Sequence, residues 1–222
     1  MFTLAPPLRA GSDVDPFAAN VTALLHFNGP NGSTTFADEK GGTWAPFSSP
    51  YDGAVISTAQ SRFGGASLEL NTDILIASAP AINLSGDFTV ECWVYLLSNP
   101  SPTNTLFYMS DGAANDIILF VSNTIVTLDY ALDSQLPRNA SSNMVGRWVH
   151  TFIGVSGSTK YVGVDGLIAS SARGSTAGAP TNIYIGGVSD VAMWVDDLRI
   201  TEGVCRYTGA TYAVPTAEFP NP

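Results

Sequence analysis

The sequence predicts an all-β protein built as a two-sheet antiparallel sandwich. Short runs rich in Val, Ile, Thr, Tyr and Phe recur along the chain, and these residue types favour strands. The 21 glycines and 14 prolines indicate many turns between the runs. No long amphipathic helical pattern separates them, so an α/β fold is not expected. Short strands at regular spacing are typical of a sandwich.

About a dozen strands are predicted, taken here in chain order. The first covers residues 21–27 and ends at an Asn-Gly-Pro-Asn-Gly turn. Residues 87–95 combine β-branched and aromatic side chains, which predicts a central strand covered on both faces. Asp165-Gly166 joins two alternating runs and indicates a hairpin. The other predicted strands are residues 66–70, 74–77, 105–109, 116–121, 124–130, 148–155, 160–164, 167–170, 182–186 and 191–200.

The chain divides into an arm and a domain. Residues 1–20 contain three prolines and no strand pattern, which predicts an extended N-terminal arm. Two interpretations of the arm stay open, a disordered terminus or a tether that docks on a partner. Residues 21–222 are predicted to form one sandwich domain.

Charge and cysteine content limit the classes of function that are expected for this chain. The formal net charge is −10, and the nine basic residues are scattered singly, whereas nucleic-acid binders carry a basic stripe. No apolar run reaches the ~20 residues that a membrane span needs. The N-terminus shows no secretion signal, so synthesis in a cytoplasm is expected. Cys92 and Cys205 are compatible with two buried thiols or with a disulfide.

The distribution of acidic residues predicts that the protein is not an enzyme. Glycan hydrolysis needs two carboxylates that flank the sugar bond. The five glutamates of the chain are isolated from one another. Glu91 lies alone in the middle of a predicted strand, and we interpret it as a structural, hydrogen-bonded carboxylate. The scattered acidic residues therefore argue against a further hypothesis, that the protein is a degenerate glycan hydrolase.

Three aromatic residues are the candidate glycan contacts. Trp44 and Tyr51 lie in a turn-rich stretch, and Tyr108 shortly precedes a Ser-Asp-Gly turn. Such side chains present an apolar ring with a polar group, which suits stacking on a sugar. The alternative interpretation is that each ring packs as core beneath a loop, because large aromatics are usually buried.

Several segments, in their order along the chain, resemble a known family. They are Leu-Leu-His-Phe-Asn-Gly at 24–29, Phe-Gly-Gly-Ala-Ser at 63–67, the strand at 87–94, Tyr-Val-Gly-Val-Asp-Gly at 161–166 and Val-Asp-Asp-Leu-Arg-Ile-Thr-Glu-Gly-Val at 195–204. Together they resemble the laminin G-like, concanavalin A-like jelly rolls over roughly residues 21–220. The stretch from 196 to 220 is similar to versions found in tailed-bacteriophage structural proteins, although bacterial surface proteins carry similar modules.

The resemblance implies a jelly roll of two packed sheets whose surfaces often bind glycans or proteins. It also implies a structural calcium, with Asp196 as a ligand and Asn28 at the matching end of the first strand. Asn28 stands where many relatives carry Asp, which weakens the charge of such a site. The alternative is that Asp196 only accepts hydrogen bonds from the backbone.

These observations predict a non-enzymatic virion structural or adhesion protein of a tailed phage, assembled in the host cytoplasm. It would be a decoration or tail-associated module whose arm contacts capsid or tail proteins. The sandwich would bind host glycans or neighbouring subunits, with a homo-oligomer suggested by the low charge content. The alternative function is a surface or secreted carbohydrate-binding module of a bacterium.

Overall fold

The computed structural model describes residues 15–47, 53–71, 74–78, 80–100, 103–112, 116–131, 133–187 and 192–222. Most of the predicted arm, residues 1–14, lies outside this part of the chain, and residues 18–20 of it form a single 3₁₀ turn. The strands are β1 Val21–Leu25, β2 Ala45–Pro46, β3 Val55–Ser57, β4 Ser67–Leu70, β5 Ile74–Ser78, β6 Phe88–Leu96, β7 Asn104–Ser110, β8 Ile117–Val121, β9 Ile125–Tyr130, β10 Leu136–Asn139, β11 Trp148–Ser156, β12 Thr159–Val164, β13 Leu167–Ala172, β14 Asn182–Gly186 and β15 Met193–Glu202.

The strands form two antiparallel sheets. Sheet A runs in the order β13-β12-β11-β6-β15-β4-β3, and β1 also pairs with β15. Sheet B runs β10-β9-β8-β7-β14-β5-β2. Both sheets interleave strands that are distant in sequence, such as β6 beside β15 and β7 beside β14. The predicted two-sheet antiparallel sandwich is confirmed.

A shared hydrophobic core lies between the sheets. In β6 every second residue, from Phe88 to Leu96, belongs to this core, and the residues between them point to the outer side of sheet A. In sheet B, buried Ile183 and Ile185 alternate with half-buried neighbours in the same way. The alternation therefore assigns each strand residue either to the core or to an outer face, which is the side of a sheet that faces away from the other sheet.

A bulge interrupts β15 at a pair of acidic residues. Asp196 lies opposite Trp93 and Arg199 lies opposite Glu91, so two residues of β15 face one residue of β6. Asp197 takes a positive φ of 51° at this point. Asp196 and Asp197 consequently bind different neighbours although they are adjacent in sequence.

The last segment, residues 203–222, lies against the outer face of sheet A and is called here the C-terminal cover. Backbone hydrogen bonds attach it to β13 and the preceding turn, from Ile168 to Ala210 and from Tyr212 to Gly166. The Tyr207 and Tyr212 rings lie 4.8 and 5.1 Å from the ring of Phe152 in β11. The cover is therefore an integral layer of the domain.

Cys92 and Cys205 do not form a disulfide. Cys92 belongs to the core between the sheets, whereas Cys205 lies in the C-terminal cover on the opposite side of sheet A, and both are free thiols. Among the described residues, no helix is long and apolar enough to cross a membrane.

Candidate functional site

The outer face of sheet B carries a band of apolar and aromatic side chains. They alternate with core residues along four strands, so each is half-buried at the surface of the sandwich. The band consists of Ile74, Ile76, Thr105, Tyr108, Ile118, Phe120 and Tyr184. A surface of this kind marks a candidate binding site.

A pocket of about 390 Å³ opens in this band. Its volume falls within the ~300–1,000 Å³ of small-molecule sites. It is lined by Ile74, Thr105, Tyr108, Ile118, Tyr184, Gly186 and Gly187. A Cβ at Gly187 would lie only 2.7 Å from Cβ of Thr105, so the close packing of these two residues requires glycine here.

Two tyrosines dominate the pocket. Tyr184 of β14 lies directly opposite Tyr108 of β7, and the rings stack with centroids 5.2 Å apart at 16°. Phe47 meets Tyr184 edge to face at 5.9 Å. The geometry holds both tyrosines in fixed positions, because each is restrained by a ring neighbour as well as by its strand.

The Tyr108 hydroxyl is anchored by a carboxylate. It donates a 2.9 Å hydrogen bond to Asp116 Oδ2, while Asp116 Oδ1 is buried and has no hydrogen-bond partner among the described residues. Burial, and then the Asp116 carboxylate, raise the pKa of Tyr108, so its hydroxyl keeps its proton at neutral pH. The pocket therefore combines apolar ring surface with a tyrosine hydroxyl that is held by a carboxyl group.

The three predicted glycan contacts have different outcomes. Tyr108 lines the pocket, and Tyr51 lies outside the described residues. Trp44 is only 5% exposed, packs in the core and donates its indole N–H to Asp38 Oδ2 at 3.0 Å. This burial favours the alternative interpretation, core packing, and a stacking role for Trp44 stays a prediction. Tyr184 was not among the predicted glycan contacts, although the alternation in 182–186 predicts that its side chain lies on the opposite face of the strand from Ile183 and Ile185.

The residues predicted for calcium fit that ion only in part. Asp196 Oδ2 accepts the backbone N–H groups of Arg62 and Phe63 at 2.7 and 3.0 Å, and its Oδ1 is buried without a partner. Burial, with Asp197 beside it, raises the pKa of Asp196 to about 7. Asn28 instead donates to Glu218 Oε1 at 2.6 Å. Calcium takes six to eight oxygens, and this set supplies one free carboxylate oxygen, so calcium stays a prediction.

A second polar group joins the C-terminal cover to the sandwich. His26 Nδ1 lies 2.7 Å from Asp197 Oδ1 and 3.6 Å from Glu218 Oε1, and its Nε2 lies 2.8 Å from Asn221 Oδ1. Burial disfavours the charged ring, but Asp197, Asn221 and Glu218 raise the pKa of His26 to about 9. His26 is thus a cation at neutral pH, and its contacts with Asp197 of β15 and Glu218 of the cover join the cover to the sandwich.

Glu91 lies beneath the cover in a network of partners. Arg199 Nε and Nη2 donate to Glu91 Oε1 at 2.9 and 2.7 Å, and the Tyr207 hydroxyl donates to Oε2 at 2.7 Å. His150 Nε2 lies 3.2 Å from the same Oε2. Burial would raise the pKa of Glu91, but Arg199, then His150 and Tyr207, lower it to about 2. This carboxylate is ionised, buried and fully paired, as the structural interpretation predicted.

Comparison with known proteins matches the chain to a family and to solved structures. The sequence model of the "Concanavalin A-like lectin/glucanases superfamily" matches residues 69–203. No curated protein matches the chain by sequence.

Three solved structures illustrate the similarity of fold. Domain 4 of AbnA, an extracellular arabinanase of Geobacillus stearothermophilus in complex with arabinotriose, has TM-score 0.62 and 20% identity over 87% of this chain and 94% of that one. The binding domain of botulinum neurotoxin DC in complex with SialylT has TM-score 0.59 and 10% identity, over 92% and 50%. Trypanosoma rangeli sialidase in complex with sialic acid has TM-score 0.61 and 16% identity, over 82% and 31%. The chain thus spans half of the neurotoxin domain and a third of the sialidase.

Proposed function

Because this chain belongs to the concanavalin A-like lectin/glucanase superfamily, we propose that it is a carbohydrate-binding module that holds a glycan in the pocket of sheet B without cleaving it. The observation that carries the proposal is the stacked pair Tyr108–Tyr184 beside an open pocket on an outer sheet face. Sugar rings have apolar C–H faces and polar rims, and tyrosine offers a matching apolar ring and hydroxyl.

The solved structures support binding of sugars by this fold. Domain 4 of AbnA is described with arabinotriose, and this chain covers 94% of it, so the comparison concerns a whole module. The sialidase is described with sialic acid. At these identities the likeness concerns the fold, and the pocket residues of this chain carry the rest of the proposal.

The placement of acids supports binding without hydrolysis. Glu91 is paired with Arg199 under the cover on the far side of sheet A, where it does not face the pocket. Asp116 beside the pocket is committed to the Tyr108 hydroxyl. A hydrolytic site would need two carboxylates facing one sugar bond.

Replacing Tyr184 with alanine should weaken glycan binding at least tenfold, because truncating a central aromatic contact typically costs about 2 kcal/mol or more. A glycan array would identify ligands of the intact protein, and calorimetry would measure the dissociation constants. Tyr184→Phe keeps the ring and should retain most of the affinity.

The matched control is Tyr161→Ala, since Tyr161 is also half-buried but lies on the outer face of sheet A. It should bind as the intact protein does. Equal losses in Tyr184→Ala and Tyr161→Ala, or no loss in either, would place the ligand elsewhere.

The proposed setting of this module is the particle of a tailed phage, as a decoration or tail-associated protein. The resemblance of residues 196–220 to phage structural proteins supports this, and the arm would contact capsid or tail proteins. Mass spectrometry of purified particles should then detect the chain in multiple copies. Its absence from particles would favour the second candidate, a bacterial surface or secreted module, which the likeness to an extracellular arabinanase domain supports.

A further inference from the structure

We infer that the sheet B pocket selects neutral glycans and discriminates against glycans that carry a carboxylate. This inference rests on the proposed function and adds the chemical class of the ligand. Its basis is the distribution of charge around the pocket, where the described residues supply acidic neighbours and no cation to pair with an acidic sugar.

The basic side chains of the described residues lie away from the pocket. Most are engaged elsewhere: Arg62 stacks over Trp93, and the others pair as Arg147–Asp165, Lys160–Asp133, Arg173–Tyr130, Arg199–Glu91 and Arg206–Asp15. Lys40 lines a separate pocket with Asp38 and Trp44. Arg138 lies opposite core residue Val126, which puts it on the inner side of sheet B.

The residues outside the described ranges contain almost no basic side chains. Apart from Arg9 near the N-terminus, the residues outside the described ranges include no lysine or arginine. They do include Asp73, adjacent in sequence to pocket residue Ile74, and Asp190, three positions after Gly187.

Carboxylates also belong to the described surface of sheet B. Asp116 accepts the Tyr108 hydroxyl, and its other oxygen has no hydrogen-bond partner in the described part of the chain. Asp129 lies opposite Ile118 on the next strand, so it shares the outer face with the tyrosines. Its only hydrogen-bond partner among the described residues is the neutral amide of Gln135, at 3.2 Å.

A sugar that carries a carboxylate would bring its own negative charge close to Asp116 and Asp129. Like charges close together in a partly desolvated pocket repel, and no arginine is placed to offset the repulsion by a bidentate contact. The described lining offers a neutral sugar two tyrosine rings with their hydroxyls, two isoleucines, the Thr105 side chain and the backbone of two glycines. The lining thus favours sugars with apolar ring faces or methyl-bearing groups.

The test is calorimetry of the intact protein with paired probes at two ionic strengths. Lactose and arabinotriose serve as neutral probes, and 3′-sialyllactose and a galacturonic acid trimer serve as acidic ones. We expect a neutral probe to bind at least tenfold more tightly than its acidic counterpart, which corresponds to about 1.4 kcal/mol. Binding of the acidic probe should strengthen as salt is raised, because salt screens repulsion, while the neutral probe should change little.

A charge variant sharpens the test. Asp129→Lys puts a cation on the outer face and should improve binding of the acidic probe several-fold without altering the neutral one. Glu69→Lys, on the outer face of sheet A in β4, is the matched control and should change neither.

The outcomes separate the two proposals. If an acidic probe binds as tightly as the neutral ones and Tyr184→Ala abolishes it, the charge inference is overturned and carbohydrate binding stands. If neither these probes nor any glycan of the array binds the intact protein, the proposed function itself is overturned.

Discussion

Replacing Arg199 with methionine is expected to lower the free energy of unfolding by about 3–5 kcal/mol, because it removes the closest cation and two hydrogen bonds from a buried carboxylate. Glu91 is 1% exposed, and two of its hydrogen bonds come from the Arg199 guanidinium. The guanidinium carbon also lies 3.7 Å from the centre of the Phe219 ring, and methionine would keep part of that packing. Urea unfolding followed by circular dichroism measures the loss.

The matched control is Arg147→Met. Arg147 pairs with Asp165, but its side chain is 33% exposed, so its loss should cost about 1 kcal/mol or less. Equal losses in the two variants would contradict the importance of the buried pair.

The same pair has a consequence for pH. With the pKa of Glu91 lowered to about 2, its stabilising contribution is present above the ordinary pKa near 4.5 and is lost as pH falls through about 2. Without Arg199 that pKa should rise, and acid unfolding of Arg199→Met should begin at higher pH.

Removing the C-terminal cover, residues 203–222, is expected to prevent stable folding. The deletion would take Tyr207 and Tyr212 from Phe152, Phe219 from its contacts with Val21 and Leu24, and a hydrogen bond from Glu91. A buried aromatic side chain such as Phe219 contributes about 3–5 kcal/mol, and the two half-buried tyrosines contribute less each, so the sum falls within the ~5–15 kcal/mol of a whole domain. Circular dichroism should show no cooperative thermal transition.

A shorter deletion serves as the control. Removing Asn221 and Pro222 takes one hydrogen bond from His26 and leaves Phe219 in place. We expect a loss of about 1 kcal/mol from this change. A protein without residues 203–222 that melts cooperatively near the temperature of the full chain would show that the cover is dispensable.

The sequence predicted the long strands because alternation over many residues is a strong signal. The central strand was expected at 87–95 and is observed as β6, Phe88–Leu96. Three short strands were missed: β2 and β3 have two and three residues, and β10 has four with Pro137 among them, so none shows a clear period. All three pair with strands that were predicted.

The candidate site was predicted only in part, since it depends on contacts between distant segments. Tyr108 was singled out, but alternation does not specify that Tyr184 of another strand lies directly opposite it. The cover was not predicted either, because an irregular segment has no period and its position depends on long-range partners such as Asp197 and Gly166. The burial of Trp44 could not be predicted, because a turn-rich sequence does not reveal how deeply a loop packs.

The bulge in β15 gives the strand one residue more than its inside–outside alternation requires. Val195, Leu198 and Ile200 would still point into the core if Asp197 were deleted, because the extra position would disappear. The deletion would remove the carboxylate that binds His26 and the backbone N–H of Phe219. A residue can therefore be inserted or deleted at position 197 without changing which side chains of β15 face the core. The change would affect only the contacts that attach the C-terminal cover.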